Sequence, residues 1–91
     1  MPELLIPSSD LHQAAEEFSK AKKETLAIIK RLEKTTTALE DQWAGATKQV
    51  FYKHYQDWMQ QMEGFNHLLG VISQEMHAMA DRFEDIDGAN V

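Results

Sequence analysis

From Phe51 onward, apolar side chains return in alternating steps of four and three: Phe51, Tyr55, Trp58, Met62, Phe65, Leu69, Ile72, Met76, Met79, Phe83 and Ile86. A strand alternates every two residues, so an unbroken 3.5-residue repeat of this length excludes one. It predicts a long helix whose stripe packs as in a left-handed coiled coil. At 1.5 Å per residue, ~40 helical residues make a rod ~60 Å long. Such a stripe has to be covered by another helix.

The first half of the chain supplies one. "PSSDLHQ" reads as a helix start, with Ser8, Ser9 or Asp10 able to cap, Pro7 just outside, and Glu16 and Glu17 soon after. Leu11, Ala15, Phe18, Ile29, Leu32 and Leu39 follow at helical spacing, with Lys22, Thr25 and Thr36 standing at seam positions between them. The β-branched run Thr35-Thr36-Thr37 has weak helix propensity, so packing has to carry the helix through it.

Between the two segments lies "LEDQWAGATKQ", residues 39–49. One break between two long helical segments predicts a single all-α domain, residues 1–91, folded as an antiparallel helix-turn-helix hairpin. Helix one is expected over about 9–41 and the Trp-Ala-Gly turn at 43–45. Helix two is expected over about 46–86, with a short flexible tail at 87–91. The expected seam, within the hairpin or between chains, comprises Phe18, Ile29, Leu32, Phe51, Trp58, Met62, Phe65, Leu69, Ile72 and Met76. Val50, Met59, Leu68 and Val71 fall off the stripe of helix two, and Ala14, Ala21 and Ile28 form a second line on the shoulder of helix one. Apolar shoulders this wide exceed what one hairpin buries, which predicts dimerisation into a four-helix bundle.

Charge narrows the partners. Fifteen acids against nine bases give a net charge of −6, and beyond Lys53 the only base is Arg82. Nucleic acid and anionic lipid are polyanions and are disfavoured as main partners. No cysteine is present, which excludes disulfides, thiol catalysis and zinc–thiolate sites. "MPELLIPSSD" has an acid where a secretory signal has bases and only three consecutive apolar residues, so export would use another route. No stretch approaches the ~20 apolar residues of a membrane span, and stable membrane insertion is not expected.

The chemistry-bearing residues are sparse. His12, His54, His67 and His77 include no pair three or four residues apart, so no helix face carries a metal-ligand pair, and rim or solvent positions are expected. Glu16-Glu17 and Glu84-Asp85-Asp87 read as solvated faces, and Met59, Met62, Met76 and Met79 as core filling. Gly64 and Gly70 each cost ~1 kcal/mol relative to alanine within a helix and either mark a close crossing or are tolerated. With no phosphate loop, dinucleotide fingerprint or catalytic motif, a non-enzymatic protein without cofactor or metal is expected.

The size, the two heptad-patterned helices and Trp43-Ala44-Gly45 at the single break between them resemble the WXG-100 family, the ESAT-like substrates of type VII secretion systems. The resemblance covers nearly the whole chain. It implies export as a folded dimer, of this chain with itself or with a related WXG protein, without a signal peptide and from the cytoplasm. It also implies recognition by an FtsK-type secretion ATPase through a two-part signal. The matching residues are Trp43 and Gly45 in the turn and Phe83-x-x-x-Asp87 near the end of helix two. Phenylalanine replaces the family's tyrosine, and the longer form of the C-terminal pattern is cut short at Val91. Trp43 has two readings, a plug for the bundle end or part of a recognition cleft. Two functional alternatives stay open: an adaptor completing the helical bundle of a larger co-secreted toxin, and an unrelated structural hairpin.

Overall fold

The computed structural model describes residues 6–89, with side-chain environments through residue 84. Two helices, α1 (Ser8–Leu39) and α2 (Gly45–Ala89), run antiparallel and are joined by a 3-10 turn at Glu40–Gln42. The hairpin measures 69 × 21 × 15 Å with a radius of gyration of 20.5 Å. A compact domain of this length would have a radius near roughly 12 Å, so this is a rod.

α1 begins differently from the sequence expectation. Pro7 is the N-cap, in extended conformation, and no side chain caps the helix. Its carbonyl accepts from the backbone N–H groups of Asp10 (3.0 Å) and Leu11 (3.3 Å) instead. The fixed φ of proline presets the chain for helix entry, without the side-chain acceptor that a serine or aspartate cap would add. The threonines are accommodated within the helix, with Thr25 Oγ1 donating to the Ala21 carbonyl (2.8 Å) and Thr35 Oγ1 to that of Arg31 (3.0 Å). At the other end α1 stops at Leu39, before 41, where the chain tightens into the 3-10 turn, and α2 runs past 86 to Ala89.

The register is set by contacts in which each step along α1 is matched by an equal step back along α2. Ser73 Oγ donates to the Ala15 carbonyl (2.8 Å), and one heptad earlier Asn66 Nδ2 donates to the Lys22 carbonyl (2.9 Å). Both side chains are buried, and their polar groups find partners on the facing backbone. Fully buried Ala15 and Ala80 let the helices approach closely. At Gly70 a β-carbon would lie 2.9 Å from Lys22 Nζ, so the missing side chain makes room for the lysine stem, whereas Gly64 faces open space.

On α1 the seam contains Leu11, Ala15, Thr25 and Ile29, all buried, with Phe18, Lys22, Leu32, Thr36 and Leu39 half-buried along it. The stripe of α2 behaves otherwise. Asn66, Leu69, Ser73 and Ala80 are buried, and Tyr55, Met59, Met62, Met76 and Phe83 are half-buried on the same two heptad lines. Phe65 is 51% exposed and Ile72 36%. The expected stripe therefore divides within one hairpin. One line (55, 62, 69, 76, 83) meets α1, the other (51, 58, 65, 72, 79) lies on the flank, and Met59 belongs to the seam.

Candidate functional site: the turn, the apolar flank and the open end

The turn is built around one backbone conformation. Trp43 is extended (φ −107°, ψ 141°), and its N–H donates to the Glu40 carbonyl at 3.4 Å. Gly45, the first residue of α2, has φ +72°, the left-handed region that side-chain-bearing residues resist. A β-carbon there would have nothing within 4 Å, so the requirement for glycine is conformational rather than steric.

The Trp43 indole, half-buried, packs edge-on to Phe51 with ring centroids 4.2 Å apart and planes at 84°. Aromatic contact continues along α2, from Phe51 to Tyr55 (5.8 Å, stacked) and from Tyr55 to Trp58 (5.8 Å, tilted). The Tyr52 hydroxyl is pushed above its ordinary range, first by desolvation and then by Glu40 and Tyr55. Tyr55 Oη is enclosed without a hydrogen-bond partner among the described residues. An open concavity lined by Ala46, Thr47, Val50 and Phe51 adjoins the turn. Trp43 thus anchors an aromatic ladder while keeping part of its indole accessible.

The apolar flank overlaps the ladder at Phe51 and Trp58 and continues toward the open end. On α2 it comprises Phe51, Trp58, Phe65, Ile72 and Met79, and on α1 heptad-spaced Ala14, Ala21 and Ile28 form a shorter line. A hollow lined by Glu17, Phe18, Ala21 and Leu69 opens between the two helices. Ile28, Phe65, Leu68 and Ile72 are exposed large apolar residues, more than a solvated helix face ordinarily carries together.

At the open end, His12 and His77 meet across the hairpin, half-buried, with their Nδ1 atoms 2.7 Å apart. They are not the isolated rim histidines expected from within-helix spacing. Two residues 65 positions apart become neighbours only through antiparallel pairing. Phe83 is half-buried on the seam nearby, and the Asp87 side chain lies outside the described residues.

Residues 6–88 match the family described as WXG100, proteins of 100 residues with WXG. The chain belongs to this family. Its WXG motif is Trp43-Ala44-Gly45, at the one turn of the hairpin. Among solved structures similar to this WXG100 chain is the secreted protein EsxB from Bacillus anthracis str. Sterne. That wild-type structure is 35% identical with a TM-score of 0.85, covering 91% of this chain and 89% of that one. A second structure of the same protein gives 34% identity and a TM-score of 0.84 over 96% of this chain and 99% of that one. EsxA from Geobacillus thermodenitrificans shares the fold at 24% identity, with a TM-score of 0.83 over 96% and 95% of the two chains. No curated protein sequence matches this one significantly. Among the described residues no helix is long and apolar enough to cross a membrane.

Proposed function

We propose that this WXG100 chain is a non-enzymatic substrate of a type VII secretion system, exported without a signal peptide as a folded dimer. Family membership and the likeness to EsxB, a secreted protein, support the general reading. In the dimer, the flank bearing Ile28, Phe65, Leu68 and Ile72 is apposed to the same flank of a second copy, or of a related WXG protein, completing a four-helix bundle. Recognition by an FtsK-type ATPase uses the Trp43–Gly45 turn together with Phe83 and Asp87.

The observation that carries the recognition reading is the Trp43 indole, held edge-on by Phe51 at the turn and left partly exposed. A residue serving only to close the rod would be enclosed. Trp43→Ala should accordingly cost about 1–2 kcal/mol, below the 3–5 kcal/mol of a fully buried aromatic. Export should nevertheless fail while light scattering still reports a folded dimer. Asp87→Ala should leave unfolding unchanged and reduce export. Normal secretion of a folded Trp43→Ala dimer would sink the recognition role. Co-purification with a larger toxin's helical domain, in place of self-association, would favour the adaptor reading, because the same flank would then be filled by that domain.

A further inference from the structure

The open end carries a constellation that neither the turn nor the flank uses. His12 Nε2 stands 3.5 Å from Asp81 Oδ1 and 3.3 Å from Glu84 Oε1. One ligand atom from each of the three residues lies within 4.8 Å of those of the other two. On the far side, His12 Nδ1 meets His77 Nδ1 at 2.7 Å, and His77 Nε2 lies 3.4 Å from Glu16 Oε1.

Counting protons shows what this arrangement lacks. A neutral imidazole has one N–H and one lone pair. If His77 gives its N–H to Glu16, its Nδ1 must accept from His12 Nδ1–H, and the His12 Nε2 lone pair then faces two carboxylates. If the central hydrogen bond runs the other way, the His77 Nε2 lone pair faces Glu16. With both rings neutral, one nitrogen lone pair always confronts a carboxylate, an arrangement that either a metal ion or one further shared proton would complete.

We infer that His12, Asp81 and Glu84 form a binding site for one divalent cation of borderline softness, Zn2+ in the first instance. Tetrahedral zinc with bonds of about 2.0–2.1 Å sets ligand-to-ligand edges of ~3.4 Å, and the two nitrogen-to-oxygen separations already match that edge. One imidazole with two carboxylates suits zinc better than magnesium or calcium, which prefer all-oxygen shells. His77 is the positioning residue. It accepts the His12 Nδ1–H, which fixes the tautomer that presents Nε2 to the metal, and Glu16 fixes His77 in turn. The ligands come from the start of α1 and the last third of α2, so the cation would clasp the hairpin where the turn cannot.

The test is titration of chelator-stripped full-length protein with zinc chloride, followed by calorimetry and thermal melting. One Zn2+ per chain should bind, with a rise in melting temperature that EDTA reverses. His12→Ala and Asp81→Asn should each weaken binding about tenfold or more, and His77→Ala should weaken it by a comparable factor. His77→Gln restores an acceptor for His12 Nδ1–H and should recover part of that loss, which a merely structural residue would not do. His54→Ala and His67→Ala should leave the affinity unchanged. Exposed Asp81 makes Asp81→Asn decisive even if His12→Ala folds poorly. Absence of binding, affinity that survives Asp81→Asn, loss through His54 or His67, or zinc taken up only by cross-linking chains in sedimentation would each overturn the site.

Discussion

Two lines of apolar side chains run along α2 one helical step apart, similar in composition and different in burial at their centre. Leu69 is 7% exposed against α1, while Phe65, four residues earlier, is 51% exposed on the flank. Tyr55, Met62, Met76 and Phe83 share the first line, and Phe51, Trp58, Ile72 and Met79 the second. The inner line is completed by Asn66, Ser73 and Ala80, which look unremarkable in sequence but carry the interhelical hydrogen bonds and the closest approach. A hydrophobic repeat therefore reports where apolar surface must be buried, and polar or small residues beside it decide which part is buried within the chain.

The largest expected effect separates the two lines directly. Leu69→Asp places a short charge in the seam and should destabilise the hairpin by on the order of 4 kcal/mol, read from urea unfolding by circular dichroism. Phe65→Asp should leave helicity intact at concentrations where the parent is monomeric, yet hold the light-scattering mass at one chain. Equal unfolding by both variants in dilute solution would abolish the distinction. Next in size is the hydrogen bonding of the inner line. Asn66→Ala and Ser73→Ala should each cost about 1–2 kcal/mol, because each leaves a packed void or removes a made bond. Asn66→Leu should restore most of that stability. The smallest effect lies at the turn, where Gly45→Ala meets no clash and should lose roughly 1 kcal/mol from its backbone conformation alone.

The rod and its reversal were legible because a 3.5-residue repeat and a single Trp-Xaa-Gly break leave few alternatives. The α1 seam was legible too, including the unpromising Lys22, Thr25 and Thr36. The division of the α2 stripe was not, since Phe65 and Leu69 are equivalent by spacing and differ only in what faces them. The cap was missed because the helix starts at Ser8, which puts the serines and Asp10 inside it and leaves Pro7, without a side-chain acceptor, at the N-cap. The histidine pair was out of reach of within-helix spacing. Its signal becomes readable once the register is known, because the separation of Ala15 from Ser73 places His12 opposite His77.

An antiparallel hairpin also ranks its own contacts by the length of chain each must enclose. Trp43 and Phe51 are joined by a short loop, whereas the contact between His12 and His77 spans 65 positions. Formed independently, the longer closure would cost roughly 2 kcal/mol more in chain entropy. Folding should therefore start at the tryptophan turn and zip outward. Equilibrium protection should follow burial, which on α2 runs from Asn66 to Ala80, so amide hydrogen exchange should be slowest there and faster toward both the turn and Phe83. The end of α2 proposed to be read by the export machinery lies past Ala80, the last buried position described, and should fray without opening the packed seam.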